Sequence, residues 1–134
     1  MFAIARLTPA RLGRLGERRA AWHYRLRGWT ILERNLRTKA GEIDLVARRG
    51  TTIAVIEVKT RQTFTAGEGH EAVTRTKRER MIRLGDRLAS RYPDAQLRYD
   101  IVSVRWTGWR FITDIYPDAF RPVADAQRPW RWRA

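Results

Sequence analysis

Ile53-Ala54-Val55-Ile56 constrains the fold of this chain more than any other segment. A strand with one wet face alternates apolar and polar residues, and this run has no polar member. It reads as a strand over residues 51–60 buried on both faces, and so as the central strand of a sheet covered on two sides. The run then ends in Glu57-Val58-Lys59. Residues two apart on a strand share a face, so Glu57 and Lys59 project together, and charged groups there are costly unless paired.

The flanking sequence supplies the rest of an α/β order. Thr8-Pro9 is a helix start, a hydroxyl cap followed by proline at the first helical position. Leu12, Leu15, Arg19, Trp22 and Leu26 recur at helical spacing, and Gly28 is the stop. Residues 29–34 read as a short strand and 42–48 as a second, with Ile43, Leu45 and Ala47 on one side; Arg49-Gly50 is the turn into the central strand. After a glycine-punctuated loop over 62–69, residues 74–91 read as a helix with a narrow stripe of Met81, Leu84 and Leu88. Residues 97–105 and 109–115 are two more strands, joined at Thr107-Gly108. The order is α-β-β-β-α-β-β in one domain over residues 1–120. Residues 121–134 are rich in Arg, Pro and Trp and read as a loosely held tail. The tryptophans Trp22, Trp29, Trp106 and Trp109 are expected as core or edge packing, whereas Trp130 and Trp132 alternate with arginines in a pattern suited to stacking on bases and equally to a membrane interface or to no defined role.

Composition narrows the partners. The formal net charge is +14, from 28 Lys and Arg against 14 Asp and Glu. That balance favours polyanions, nucleic acid ahead of an anionic membrane surface, because no basic amphipathic segment stands apart from the fold. No cysteine is present, which removes disulfides and thiolate chemistry, and no apolar run reaches the roughly 20 residues of a membrane span. A cytoplasmic location is the expectation. Only Lys39, Lys59 and Lys77 are lysines, which draws attention to Lys59, since arginine cannot supply a compact ammonium with a tunable pKa.

The hairpin through Arg49-Gly50 can bring Asp44 beside Glu57. Two adjacent carboxylates repel, and a divalent cation relieves the repulsion; Mg²⁺ is commonly held by one or two carboxylates with water and phosphate. Lys59 could then orient or deprotonate an attacking water. The bland reading of Asp44, Glu57 and Lys59 is a structural ion-pair cluster. Glu42 reads as a neighbour on the face of Asp44, and neither His23 nor His70 has metal-ligand spacing.

Gly16-Glu17, Arg34-Asn35, Gly41-Glu42-Ile43-Asp44-Leu45 and Glu57-Val58-Lys59-Thr60-Arg61 together resemble the bacterial YraN family of uncharacterised proteins. That family looks like a branch of the PD-(D/E)xK nucleases, which include restriction enzymes and Holliday-junction resolvases. The resemblance spans about residues 14–120 and implies a restriction-endonuclease-like core, a mixed sheet flanked by helices. It implies Asp44 and Glu57 as acids binding Mg²⁺ or Mn²⁺, the Val58 carbonyl as a further ligand, and Lys59 as the catalytic lysine. Glu17 matches an additional acid on the first helix. Lys77 and Arg78 match basic residues facing substrate, and Arg61 closes the motif as another candidate for contacting nucleic acid. Ile43 stands where the superfamily's name has proline, as in resolvase-like branches. The function implied is a metal-dependent DNA endonuclease of recombination or repair. A homodimer or a protein partner is compatible with it, and the alternative is a nucleic-acid-binding module that does not cut.

Overall fold

Thr8 caps the first helix as its hydroxyl predicts, accepting a hydrogen bond from the Arg11 N–H ahead of α1 (Pro9–Leu26). In the computed structural model, which describes residues 6–62 and 75–121, the chain continues through β1 (Thr30–Thr38), β2 (Gly41–Arg49), β3 (Thr52–Gln62), α2 (Arg75–Arg91), β4 (Gln96–Trp106) and β5 (Phe111–Phe120). Gly28 closes α1 at φ +84°, a conformation that disfavours any residue with a Cβ. Gly50 opens the two-residue β2–β3 turn at φ +60°, as a II′ hairpin requires.

The sheet order is β1-β2-β3-β4-β5, so β3 is central. It runs antiparallel to β2 and parallel to β4, and α2 supplies the crossover that a parallel pair needs. Both faces of β3 are covered. Ile53 and Val55 pack with Met81, Leu84 and Leu88 of α2, while Ala54 and Ile56 pack with Ala20, Ala21 and Tyr24 of α1. Burying each of Ile53, Val55 and Ile56 contributes about 1.5–3 kcal/mol. The result is an α/β core with a helix on each side of a mixed sheet, as expected for a restriction-endonuclease-like protein.

Four sequence expectations shift. The buried face of α1 is Leu12, Gly16, Ala20, Ala21 and Tyr24, while Trp22 and Leu26 are exposed. The helix approaches the sheet so closely that a Cβ on Gly16 would collide with Thr60; small residues therefore mark much of the contact, and of the large apolar stripe Leu12 is buried while its C-terminal part lies off the sheet. Trp109 is likewise exposed, at 84%, whereas Trp29 is core. Ile43 does not share a side with Leu45 and Ala47, because it joins the α2 cluster and they join the α1 cluster. The strand alternation slips phase at Asp44. Finally, β1 and β5 run further than expected, to Thr38 and Phe120. Pro117 is tolerated in β5 because that strand is a sheet edge.

The expected loop over 63–69, His70, Thr74 at the helix start and the tail from residue 122, with Trp130 and Trp132, lie outside the described residues. No helix among the described residues is long and apolar enough to cross a membrane.

Candidate metal and nucleic-acid site

The β2–β3 ladder ends at Leu45↔Ile56, one pair short of Asp44↔Glu57, while β3 continues beside β4 as far as Gln62↔Trp106. Where β2 departs, its side chain replaces its backbone: Asp44 Oδ2 accepts the Val58 N–H at 2.8 Å. Residues of the parity of Ile56 and Val58 present both N–H and C=O toward β2. The Val58 carbonyl therefore lies on the edge that Asp44 now occupies.

Glu57 follows Ile53 and Val55 on the α2 face, and Lys77 of α2 reaches it with Nζ 3.0 Å from Oε1. Lys59 has the same parity and is half-buried. Burial first, then the charge of Glu57, push the Asp44 carboxyl up to about 7, against the lowering effect of the Val58 N–H. Asp44 and Glu57 are close enough for a protonated Asp44 to hydrogen-bond Glu57. The hairpin thus brings together the two acids that the sequence places near one another.

Glu17 approaches from α1. Burial raises its pKa, opposed by a hydrogen bond from Asn35, and its charge is felt by Asp44. Among the described residues, however, no group of three His, Asp or Glu can hold an ion by side chains alone, so Glu17 stands beside the acid pair without completing a cage. Glu42 is exposed and sits 3.9 Å from Arg37. Arg78 of α2 is half-buried, with its Nε lacking a hydrogen-bond partner among the described residues. Arg61 lies two residues beyond Lys59 near the end of β3. His23 is half-buried on α1, away from any such acid group.

One acid escaped the sequence reading. Asp100 is fully buried on β4 and accepts four hydrogen bonds: from Arg98 Nε and a terminal Arg98 nitrogen at 2.8 and 2.7 Å, the Tyr24 hydroxyl at 2.7 Å and the Asp118 N–H at 2.9 Å. An aspartate inside Tyr99-Asp100-Ile101-Val102, with an arginine two residues before it, was the available signal.

The fold is that of an α/β protein of the restriction-endonuclease-like type, with two acids brought together where the central strand loses its antiparallel neighbour and Lys59 two residues beyond one of them. The model of uncharacterised protein family UPF0102 matches residues 16–104, and the chain belongs to that family. The UPF0102 protein of Desulfitobacterium hafniense Y51 is 43% identical over 99 residues, covering 70% of this chain and 80% of its own. That of Parvibaculum lavamentivorans is 40% identical over 129 residues, covering 92% and 86%. The YraN-like pattern read from the motifs is this family.

Proposed function

We propose that this chain is a metal-dependent endonuclease hydrolysing phosphodiester bonds, with DNA as the substrate. The observation that carries the reading is Asp44, which leaves the β2 ladder, takes the Val58 N–H and crowds Glu57 until its carboxyl rises to about 7. A fold gains no stability from two crowded acids, and a divalent cation resolves the crowding. The donors present fit Mg²⁺ or Mn²⁺: Asp44 and Glu57, with the Val58 carbonyl on the same edge, leaving positions for water and phosphate oxygens. Such an ion supplies an activated water and neutralises charge on the phosphate. Lys59 would orient that water and hold positive charge beside the reacting phosphate. Lys77, Arg78 and Arg61, with the overall charge of +14, would draw in the strand.

The Lys77–Glu57 ion pair favours a second reading, because it neutralises one acid with the protein's own cation. On that reading the chain binds nucleic acid without cutting it. The two separate on incubation with plasmid, linear duplex, single-stranded and four-way-junction DNA in Mg²⁺, Mn²⁺ or EDTA. The nuclease reading expects metal-dependent cutting that Lys59→Ala and Asp44→Asn each reduce by at least about 10²-fold. Asp44→Asn should retain DNA binding, having lost a negative charge near phosphate. Cutting by Asp44→Asn at the wild-type rate would sink the site assignment. Binding with no cutting of any substrate would select the second reading.

A further inference from the structure

Beside the acid pair, on the α1 side, lies a cavity of about 180 Å³ lined by Arg14, Glu17, Arg18, Arg34, Asn35 and Leu45. Arg14, Glu17 and Arg18 stand at i, i+3 and i+4 and share one helix face. Arg34 enters from β1, where it pairs in register with Leu45, the residue after Asp44. The cavity therefore abuts the point where β2 leaves β3.

None of these three arginines has a hydrogen-bond or ion-pair partner among the described residues, although Arg34 lowers the pKa of Glu17 through its charge. Exposed arginines such as Arg25, Arg83 and Arg87 also have no such partner among the described residues; what sets Arg14, Arg18 and Arg34 apart is that they line one cavity. Asn35 occupies the left-handed region at φ +49° and hydrogen-bonds Glu17, which turns that carboxylate toward β1. Three exposed arginines from two elements line this one cavity, which concentrates positive charge there, and their planar donors match phosphate oxygens.

The geometry points to a strand-anchoring site in which Arg14, Arg18 and Arg34 hold two or three consecutive backbone phosphates of a nucleic acid, next to the phosphate at Asp44 and Glu57. The inference rests on the nucleic-acid reading above and assigns the α1–β1 side of the site as the path of the strand. Phosphates along one strand are contacted without reading bases, so the site is indifferent to sequence.

The test is binding alone, in EDTA, so that cutting plays no part. Fluorescein-labelled 20-nucleotide single strands and 20-bp duplexes would be titrated by anisotropy across a range of NaCl. Wild type would be compared with Arg14→Gln/Arg18→Gln/Arg34→Gln and with a control of equal net charge, Arg25→Gln/Arg83→Gln/Arg87→Gln, at exposed positions outside the cavity. Each phosphate contact adds about 0.7 to 0.9 to the slope of log K against log salt. The cleft variant should lower that slope by about 1.4 to 2.7, and the control by less than about 1. Circular dichroism would confirm that both variants are folded. Equal loss in both variants, no loss in the cleft variant, or dAMP bound as tightly as the oligonucleotide would each overturn the anchoring site. A protein that binds through the cleft yet never cuts would remove the nuclease reading and leave this site standing.

Discussion

Asp100 and Asp44 are two acids in one sheet, and the fold treats them in opposite ways. Asp100 is wholly buried and fully answered, with a bidentate arginine, a tyrosine hydroxyl and a backbone N–H. Asp44 is less buried yet has one N–H and two neighbouring carboxylates. The first arrangement ties α1, β4 and β5 together. The second crowds acids at a strand end, where Asp44 has only the Val58 N–H that the departing β2 backbone no longer meets. What separates the two acids here is the supply of donors, more than the depth of burial.

The largest effect should come from breaking the satisfied acid. Asp100→Ala leaves Arg98 charged and partly buried without its partner and strands the Tyr24 hydroxyl. It should cost about 3–5 kcal/mol, read from urea denaturation. A cost below about 1 kcal/mol would erase the contrast between the two acids.

Asp44 should behave in the opposite sense. Its folded pKa of about 7 lies above the ordinary 3.8, so the folded state holds the proton more tightly than the unfolded chain. Its contribution is fully present below about pH 4 and is lost as pH rises toward 7. In EDTA, the wild-type urea midpoint should therefore fall between pH 4 and 7 relative to Asp44→Asn. At pH 8 the variant should be the more stable by on the order of 1–3 kcal/mol. Asparagine keeps an oxygen for the Val58 N–H, which isolates the charge. Parallel pH profiles for the two proteins would show that Asp44 is not crowded.

The smallest effect belongs to Lys77. Its side chain is 42% exposed, against 14% for that of Glu57, so solvent screens the pair. Lys77→Ala should destabilise by less than about 1 kcal/mol. By removing the cation that competes for Glu57, it should also strengthen any Mg²⁺-dependent rise in melting temperature. A weaker rise would instead make Lys77 part of the metal's surroundings.

Much of this was legible in the chain. The apolar run Ile53–Ile56 marked the central strand, and Met81, Leu84 and Leu88 marked the buried stripe of α2. The two acids and the lysine were legible because i, i+2 spacing on a strand and one tight turn place them within reach of one another. The face of α1 was not, because the helix packs through glycine and alanine, which carry little hydropathy. The phase slip at Asp44 was hidden for a related reason: alternation assumes ladders unbroken on both sides of a strand, and the one to β3 ends at Leu45 while the one to β1 continues.

The sequence by itself determined the order of elements, the centre of the sheet, the basic balance and the nearness of Asp44 to Glu57. All of these follow from local periodicity, turn chemistry and charge. Only the tertiary structure decided that Asp100 is answered by Tyr24 and Asp118, that Lys77 reaches Glu57, and that Arg14, Arg18 and Arg34 line one cavity. Those partners are separated by 76, 18 and 20 residues in the first three cases. No local pattern encodes such meetings, because they exist only once the sheet has assembled and the helices have closed on it.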